Sequence, residues 1–436
     1  MKRLIRVSVQ GLLGQYHHEF DFPMDHEFVI LHGPNGVGKT RLLELISDSL
    51  SPRTPSPRTP FDSLKLEFDD DSWLKVSRRD RRTTWATSES GRIGDQKSGV
   101  DDDRRLLAAA RDLMEQGLIR RFSTPGTGGL RPFRDGETGE RLSAEEAIER
   151  YSAELAPEKS PVPQQVRDFV ATAPAILVEV NRLRVIEEEP PRPRSGFIGE
   201  STQIAAIDFY ARDLARRITI ARAEHAVAAQ QLDGSYPSRL LRGSTINRGR
   251  LGVSNLQAQL ESLRSKLERA ALLESAPGLT ELDALELEDD WKIAALQLHY
   301  QDSLDKLRRL EGLADRILLF HDLVASKLSG KVMRLHSEQG YVFETPGGAV
   351  PARDLSSGEQ HEVVMIYRLI FESARNQLVL IDEPEVSLHV KWQRQFLDDL
   401  IRIAKLDGLR FVVATHSPQI VGTWTKRMIS LGHDAE

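Results

Sequence analysis

The chain of 436 residues has no cysteine. Disulfides, thiolate zinc sites and thiol catalysis are thereby excluded, and a reducing cytoplasm fits such a chain. Long apolar runs are also missing. None approaches the ~20 residues that a membrane helix needs. The start, Met1-Lys2-Arg3-Leu4-Ile5-Arg6, is broken by charge at once and holds no signal-peptide core. Nor is there an excess of positive charge. The formal net charge of -6 argues against wholesale coating of nucleic acid and leaves room only for a local basic patch. With 40% hydrophobic and 28% charged residues, the composition is that of a soluble globular protein, peripheral to a membrane only through a partner.

Arg3 to Val9 alternates in polarity and reads as a strand, with Tyr16 to Phe22 returning beside it. Phe28-Val29-Ile30-Leu31 reads as a buried strand, followed by a Gly-rich turn and a helix over Arg41 to Leu50. The tandem Ser51–Pro55 and Ser56–Pro60 is a proline-rich spacer. Leu64–Phe68 and Trp73–Ser77 form a hairpin pattern. From about Arg78 to Gln164 the sequence is polar, with helices expected at Asp102–Gln116 and Ser143–Leu155. Pro174–Val180 is a further buried-strand candidate, and Glu187–Arg194 is a linker by composition. A helical region follows: Thr202–Gln231 as one helix, a heptad seam at Leu256, Leu260, Leu263 and Leu267, and a pattern over Leu285–Leu328. Helices of ~20 residues would make a compact arm of only ~30 Å. Strands are expected at Lys331–Leu335 and Tyr341–Thr345, and beyond Ser357 helix and strand alternate as in a parallel α/β sheet.

Gly33-Pro34-Asn35-Gly36-Val37-Gly38-Lys39-Thr40 matches the phosphate-loop pattern G-x-x-x-x-G-K-[ST] between an apolar strand and a helix, with Arg41 next. The glycines let backbone N–H groups turn inward around phosphate oxygens, and the helix N-terminus adds partial positive charge. Lys39 is suited to the β- and γ-phosphates and the Thr40 hydroxyl to Mg²⁺. Leu378-Val379-Leu380-Ile381-Asp382-Glu383 is an apolar strand ending in two carboxylates. Asp382 is a candidate Mg²⁺ holder and Glu383 a candidate general base; alone, the pair could equally be a solvated turn. Phe411–Thr415 is another apolar strand, ending in His416, which either touches phosphate or serves as a polar strand end. In Asp354-Leu355-Ser356-Ser357-Gly358-Glu359-Gln360, Ser357 and Gln360 have capping-box spacing. The same helix start, with Gly358 permitting close approach, could also take a phosphate.

Together and in this order, the phosphate loop, Leu355–Gln360, the Asp382–Glu383 pair, Ser387-Leu388-His389 and His416 resemble the ABC-type ATPases, and most of all their SMC-like and OLD-like soluble group. The resemblance is strong over Met1–Leu50 and Asp354–Leu431 and weak between. It implies an α/β fold, an ABC-type P-loop NTPase with a mixed or parallel sheet core, an N-terminal antiparallel β subdomain and an inserted helical arm. The divisions expected are an N-terminal lobe (1–186), an arm (187–328) and a C-terminal lobe (329–436). The cofactors implied are ATP and Mg²⁺. The resemblance makes Leu355–Gln360 a signature motif whose Ser356 and Gly358, beside Ser357 and Gln360, reach the γ-phosphate on an opposing copy, so that ATP is sandwiched in a homodimer. Ser387 and Leu388 resemble the loop along that interface, and His416 the switch histidine. The family places a metal-sensing glutamine where this chain has Ile176–Leu183; Asn181, one methylene shorter, is the candidate there.

Relatives of this kind look like components of anti-phage defence or DNA maintenance, which implies a clamp or sensor acting with a separate effector, a nuclease or toxin. Nucleic-acid contact would fall to Arg239, Arg242, Arg248 and Arg250, unless they form a solvated loop. The competing expectation is the nucleotide-binding subunit of a membrane transporter; the long stretch between Asn181 and Leu355 speaks against it. A nuclease in its own right is not expected, because the sequence ends at Glu436, soon after His416.

Overall fold

The computed structural model describes residues 1–51, 59–79, 82–89, 91–97, 110–121, 133–136, 141–142, 147–148, 151, 162–178, 184–187, 202–242, 249–274 and 290–431. The chain divides into two units, Met1–Ile204 with Phe371–Glu436, and Ala205–Ile370.

Two sheets build the first unit. A six-stranded antiparallel sheet runs in the order Tyr16–Asp21, Leu4–Leu12, Ser63–Phe68, Trp73–Arg79, Arg82–Thr87, Gly91–Lys97. Its buried face follows the two-residue period: Leu64, Leu66 and Phe68 on one strand, Leu74 and Val76 on the next. Leu4 and Val7 are both buried although three apart, and the register shifts between Leu4 and Arg6. That bulge re-phases the strand so that Val7 and Val9 still face the core. The last two strands lie in the polar stretch that offered no pattern in sequence. Thr83, Thr87 and Trp85 are buried there, so the inward face is largely hydroxyl-bearing and masks the alternation.

The second sheet is wholly parallel, in the order Ala175–Val178, Leu378–Asp382, Arg410–Ala414, Phe28–His32, Met428–Ser430. Val379 to Ile381 and Phe411 to Ala414 are completely buried, the continuous apolar run expected of strands covered on both faces. Helix Lys39–Ser49 lays Leu42, Leu43, Leu45 and Ile46 into the same core. Arg410 opens its strand deep inside. Its guanidinium donates to the carbonyls of Leu4 (2.7 Å), Phe22 (3.0 Å) and Pro23 (2.9 Å) and lies over the Phe22 ring, and burial lowers its pKa to about 10. A separate small core gathers Leu113, Ile119, Phe133, Leu142, Ile148 and Tyr151.

The second unit is helical. Ala206–Leu241 and Asp290–Ala325 each run 36 residues, about 54 Å, longer than the compact arm anticipated above. The first continues ten residues past the expected end at Gln231, through Gly234 and Pro237. Tertiary bonds outweigh those breakers: Tyr236 donates its hydroxyl to the Ala295 carbonyl, Arg239 grips Asp302, and Lys306 pairs with Asp233 at 2.5 Å. Its start also differs, since Thr202–Ala205 is a strand. Of the four leucines expected along a seam on helix Gly249–Arg269, Leu260, Leu263 and Leu267 are buried and Leu256 is half-buried, and the helix packs against Asp290–Ala325. The three-stranded meander Val332–His336, Gly340–Thr345 and Gly348–Val350 then leads to helix Ser357–Phe371.

Candidate functional site

In the parallel sheet, strand Arg410–Ala414 lies between the phosphate-loop strand Phe28–His32 and the acid-pair strand Leu378–Asp382. The register pairs Asp382 with Ala414 and Ala414 with Leu31. The loop after Leu31, the Asp382–Glu383 pair and Thr415–His416 therefore leave the sheet at one end, the carboxyl end where parallel sheets form ligand crevices.

The phosphate loop is built by backbone geometry. Gly36 and Gly38 both have φ of 87°, the left-handed region that a side chain disfavours. Gly38 also lies so close to Leu12 that a Cβ would sit 2.9 Å from its Cδ2, whereas a Cβ on Gly36 would meet nothing. Helix Lys39–Ser49 begins without a side-chain cap, which leaves its first N–H groups available to an anion. Lys39 is only 5% exposed, and its ammonium donates to the carbonyls of Gly33 (3.0 Å) and Pro34 (3.1 Å). Burial lowers its pKa, opposed by the charges of Glu383, Asp382 and Glu385. Pro34, Asn35 and Thr40 are exposed, Val37 is buried, and Arg41 turns outward to Glu44 at 2.7 Å.

Asp382 is half-buried. Burial raises its pKa, a hydrogen bond from Thr40 lowers it, and the neighbouring Glu383, Glu44 and Glu385 push it further up. Among the described residues its Oδ1 has no hydrogen-bond partner although it is buried. Glu383 has φ 44° and ψ 54°, a left-handed conformation uncommon outside glycine. Its N–H is fixed on the Ala414 carbonyl at 2.9 Å, and its carboxylate is 3.9 Å from the His416 ring.

Glu385 escaped sequence reasoning. One carboxylate oxygen accepts the His416 backbone N–H at 2.6 Å and the other accepts the Thr415 hydroxyl at 2.8 Å. It ties the loops after the two neighbouring strands together. Gln393 adds a second tie, donating to the Leu388 carbonyl (3.0 Å) and accepting from the Ser417 hydroxyl (2.7 Å). His18 Nε2, 3.1 Å from the Val37 carbonyl, braces the loop from the antiparallel sheet. No local pattern announces these residues, because each acts on an element far away in sequence.

Ser356, Ser357, Gly358 and Gln360 lie in the second unit. The cap of helix Ser357–Phe371 is Ser356 with Glu359, one residue before the expected Ser357–Gln360 pair. The Ser356 N–H and hydroxyl both donate to Glu359 Oε2, at 2.9 and 2.8 Å, and the Gln360 N–H makes the first helical bond to the Ser356 carbonyl. Gln360 turns its amide back to the carbonyls of Arg353 and Leu355. Ser356 and Ser357 are exposed. Asn181 lies outside the described residues, as does Arg248. Arg239, a candidate for nucleic-acid contact, gives both terminal nitrogens to the Asp302 carboxylate at 2.5 Å, while Arg242 is exposed.

Residues 210–422 match a family described as "AAA domain, putative AbiEii toxin, Type IV TA system". That match takes in Leu355–Gln360, the Asp382–Glu383 pair and His416, and stops short of Gly33–Thr40. Solved SMC head domains are similar to the chain at low identity. One from Pyrococcus furiosus, with an extended coiled coil and bound to the C-terminal domain of ScpA, is 13% identical over 99% of this chain and 93% of its own, with a TM-score of 0.36. An SMC head bound to the C-winged helix domain of ScpA is 11% identical over 99% and 94%, TM-score 0.36. The SMC head of Thermotoga maritima is 12% identical over 98% and 94%, TM-score 0.34. No curated protein matches the chain.

The donors at this end of the sheet fit the divalent cation expected beside a phosphate loop. Mg²⁺ takes hard oxygen ligands, and the unpartnered Asp382 Oδ1 beside the Thr40 hydroxyl is such a pair. No helix among the described residues is long and apolar enough to cross a membrane.

Proposed function

We propose that the chain binds and hydrolyses ATP as a clamp that closes when two copies sandwich the nucleotide. The observation that carries this reading is the meeting of Lys39, Thr40, Asp382 and Glu383, from stretches more than three hundred residues apart, at one end of one parallel sheet. Residues 33–41 cradle the phosphates through backbone N–H groups, and Lys39 leaves the Gly33 and Pro34 carbonyls for the β- and γ-phosphates. Thr40 and Asp382 would hold Mg²⁺, with Asn181 as a further candidate, and the ion would supply charge neutralisation at the phosphates. Glu383 takes the proton of the attacking water, and its held backbone aims the carboxylate from a fixed point. His416, positioned through Glu385, faces the same proton-transfer region. Ser356, Ser357 and Gly358, at the start of their helix with both serines exposed, contact the γ-phosphate held by the other copy, and Gln360 fixes the loop before them.

Replacing Glu383 by Gln tests the reading. Turnover should fall by about 10²–10⁴ with nucleotide affinity retained, and an ATP-bound dimer should accumulate on size exclusion. Wild-type turnover in that variant would falsify the assignment of the base. We further propose that the clamp senses its trigger for a separate effector, a nuclease or toxin, in defence or DNA maintenance; the family description, which names a toxin–antitoxin system, supports this. Copurification of such an effector with the tagged chain, lost in the Lys39→Ala variant, checks it.

A further inference from the structure

The serine of the proposed signature is held by a charge pair, Glu359 within the motif and Lys331 outside it. Ser356 gives its N–H and its hydroxyl to one oxygen of Glu359, which is 9% exposed. The Lys331 ammonium reaches both oxygens of that carboxylate at 2.7 Å. Lys331 stands immediately before strand Val332–His336, on the segment that returns from the long helix Asp290–Ala325. Burial alone would raise the Glu359 pKa, but the Lys331 and Ser356 hydrogen bonds outweigh it and lower it, so the group is an anion at neutral pH.

A serine hydroxyl has one proton to give. If Ser356 turns it toward a phosphate, Glu359 loses one donor and keeps the Ser356 N–H and Lys331; without Lys331 its charge would face an incoming polyanion, a like-charge contact in a closing interface. We infer that Lys331 is the positioning residue that lets Ser356 make this exchange, by pinning Glu359 and cancelling its charge while the hydroxyl is released. The inference rests on the sandwich reading above. It also gives the arm a direct hold on closure: a shift of the segment that carries Lys331 uncovers the carboxylate and opposes the second copy.

The test uses the full chain in the Glu383→Gln background, with Mg-ATP, and reads two quantities: dimerisation by analytical ultracentrifugation and monomer affinity for a fluorescent ATP analogue. Lys331→Met should weaken dimerisation by about tenfold or more and leave monomer affinity unchanged. Lys331→Arg should retain dimerisation. The double variant Lys331→Met/Glu359→Gln should regain it, because the charge to be cancelled is gone; a purely structural tether would stay broken. Glu359→Gln alone should dimerise like its parent, which keeps the idea testable if Lys331→Met folds poorly. Unchanged dimerisation in Lys331→Met, or no recovery in the double variant, overturns the inference. A parent that remains monomeric with ATP sinks the sandwich reading itself, and the inference with it.

Discussion

Glu385 illustrates how one side chain sets the geometry of others. It accepts from the Thr415 hydroxyl and the His416 N–H at once, and Thr415 is fully buried. Glu385→Ala leaves both donors without their acceptor, and hydrogen bonds to charged groups contribute about 1.5–3 kcal/mol each. The expected result is a loss of about 3–6 kcal/mol in denaturant unfolding, with turnover reduced and ATP affinity nearly unchanged. Full turnover would mean that His416 needs no such anchor. Lys39→Ala should behave in the opposite sense, losing nucleotide binding by isothermal titration while keeping the fold, because burial of this ammonium is a stability cost that the neighbouring carboxylates only offset.

At the scale of elements, the second unit contains a partly buried polar knot. Tyr367 on helix Ser357–Phe371 donates to Asp213 at 2.8 Å, and Arg216 and Arg217 pair with the same carboxylate at 2.8 and 2.6 Å. Arg316 of helix Asp290–Ala325 reaches the Ile370 carbonyl at 2.6 Å. Both long helices are thus hydrogen-bonded to helix Ser357–Phe371. Tyr367→Phe should cost about 1.5–3 kcal/mol by denaturant unfolding. Burial would raise the Asp213 pKa, yet the bonds from Arg217, Arg216 and Tyr367 lower it overall. A carboxylate whose folded pKa is depressed stabilises the fold above its unfolded value, near ~3.9, and that contribution is lost as pH falls through the folded value. Asp213→Asn should therefore be less stable than wild type at neutral pH, with the gap closing in strong acid. A gap that stays constant down to the acid limb would contradict the assignment.

The periodicities of these elements were legible, and their ends were not. Helix Ala206–Leu241 crosses Gly234 and Pro237, local stop signals overruled by Arg239–Asp302 and Lys306–Asp233 across helices. The strands Arg82–Thr87 and Gly91–Lys97 carried no alternation to read, since the first buries Thr83, Trp85 and Thr87 in a polar setting. The helix cap was displaced by one residue because Ser356 and Ser357 are equivalent in sequence; only the Glu359 carboxylate, drawn to Lys331, chooses between them.

For the molecule as a whole, the first unit is assembled from Met1–Ile204 and Phe371–Glu436, with the second unit inserted between. Ser356→Arg places a long cation where the proposed interface requires a small hydroxyl. ATP affinity of the monomer should be retained, while multi-angle light scattering of Ser356→Arg/Glu383→Gln with Mg-ATP should report a monomer. A dimer of normal affinity there would put the second copy elsewhere.

The sequence by itself determined the chemistry of the phosphate loop and the acid pair, because those depend on short runs: glycines for left-handed backbone, a lysine and hydroxyl at a helix start, carboxylates at the end of an apolar strand. Only the tertiary structure decided that strand Arg410–Ala414 lies between them, that Glu385 and Gln393 lock its end, and that Lys331 governs Glu359. These are contacts between elements distant in the chain, chosen by packing and charge in three dimensions, and no local period or motif encodes them.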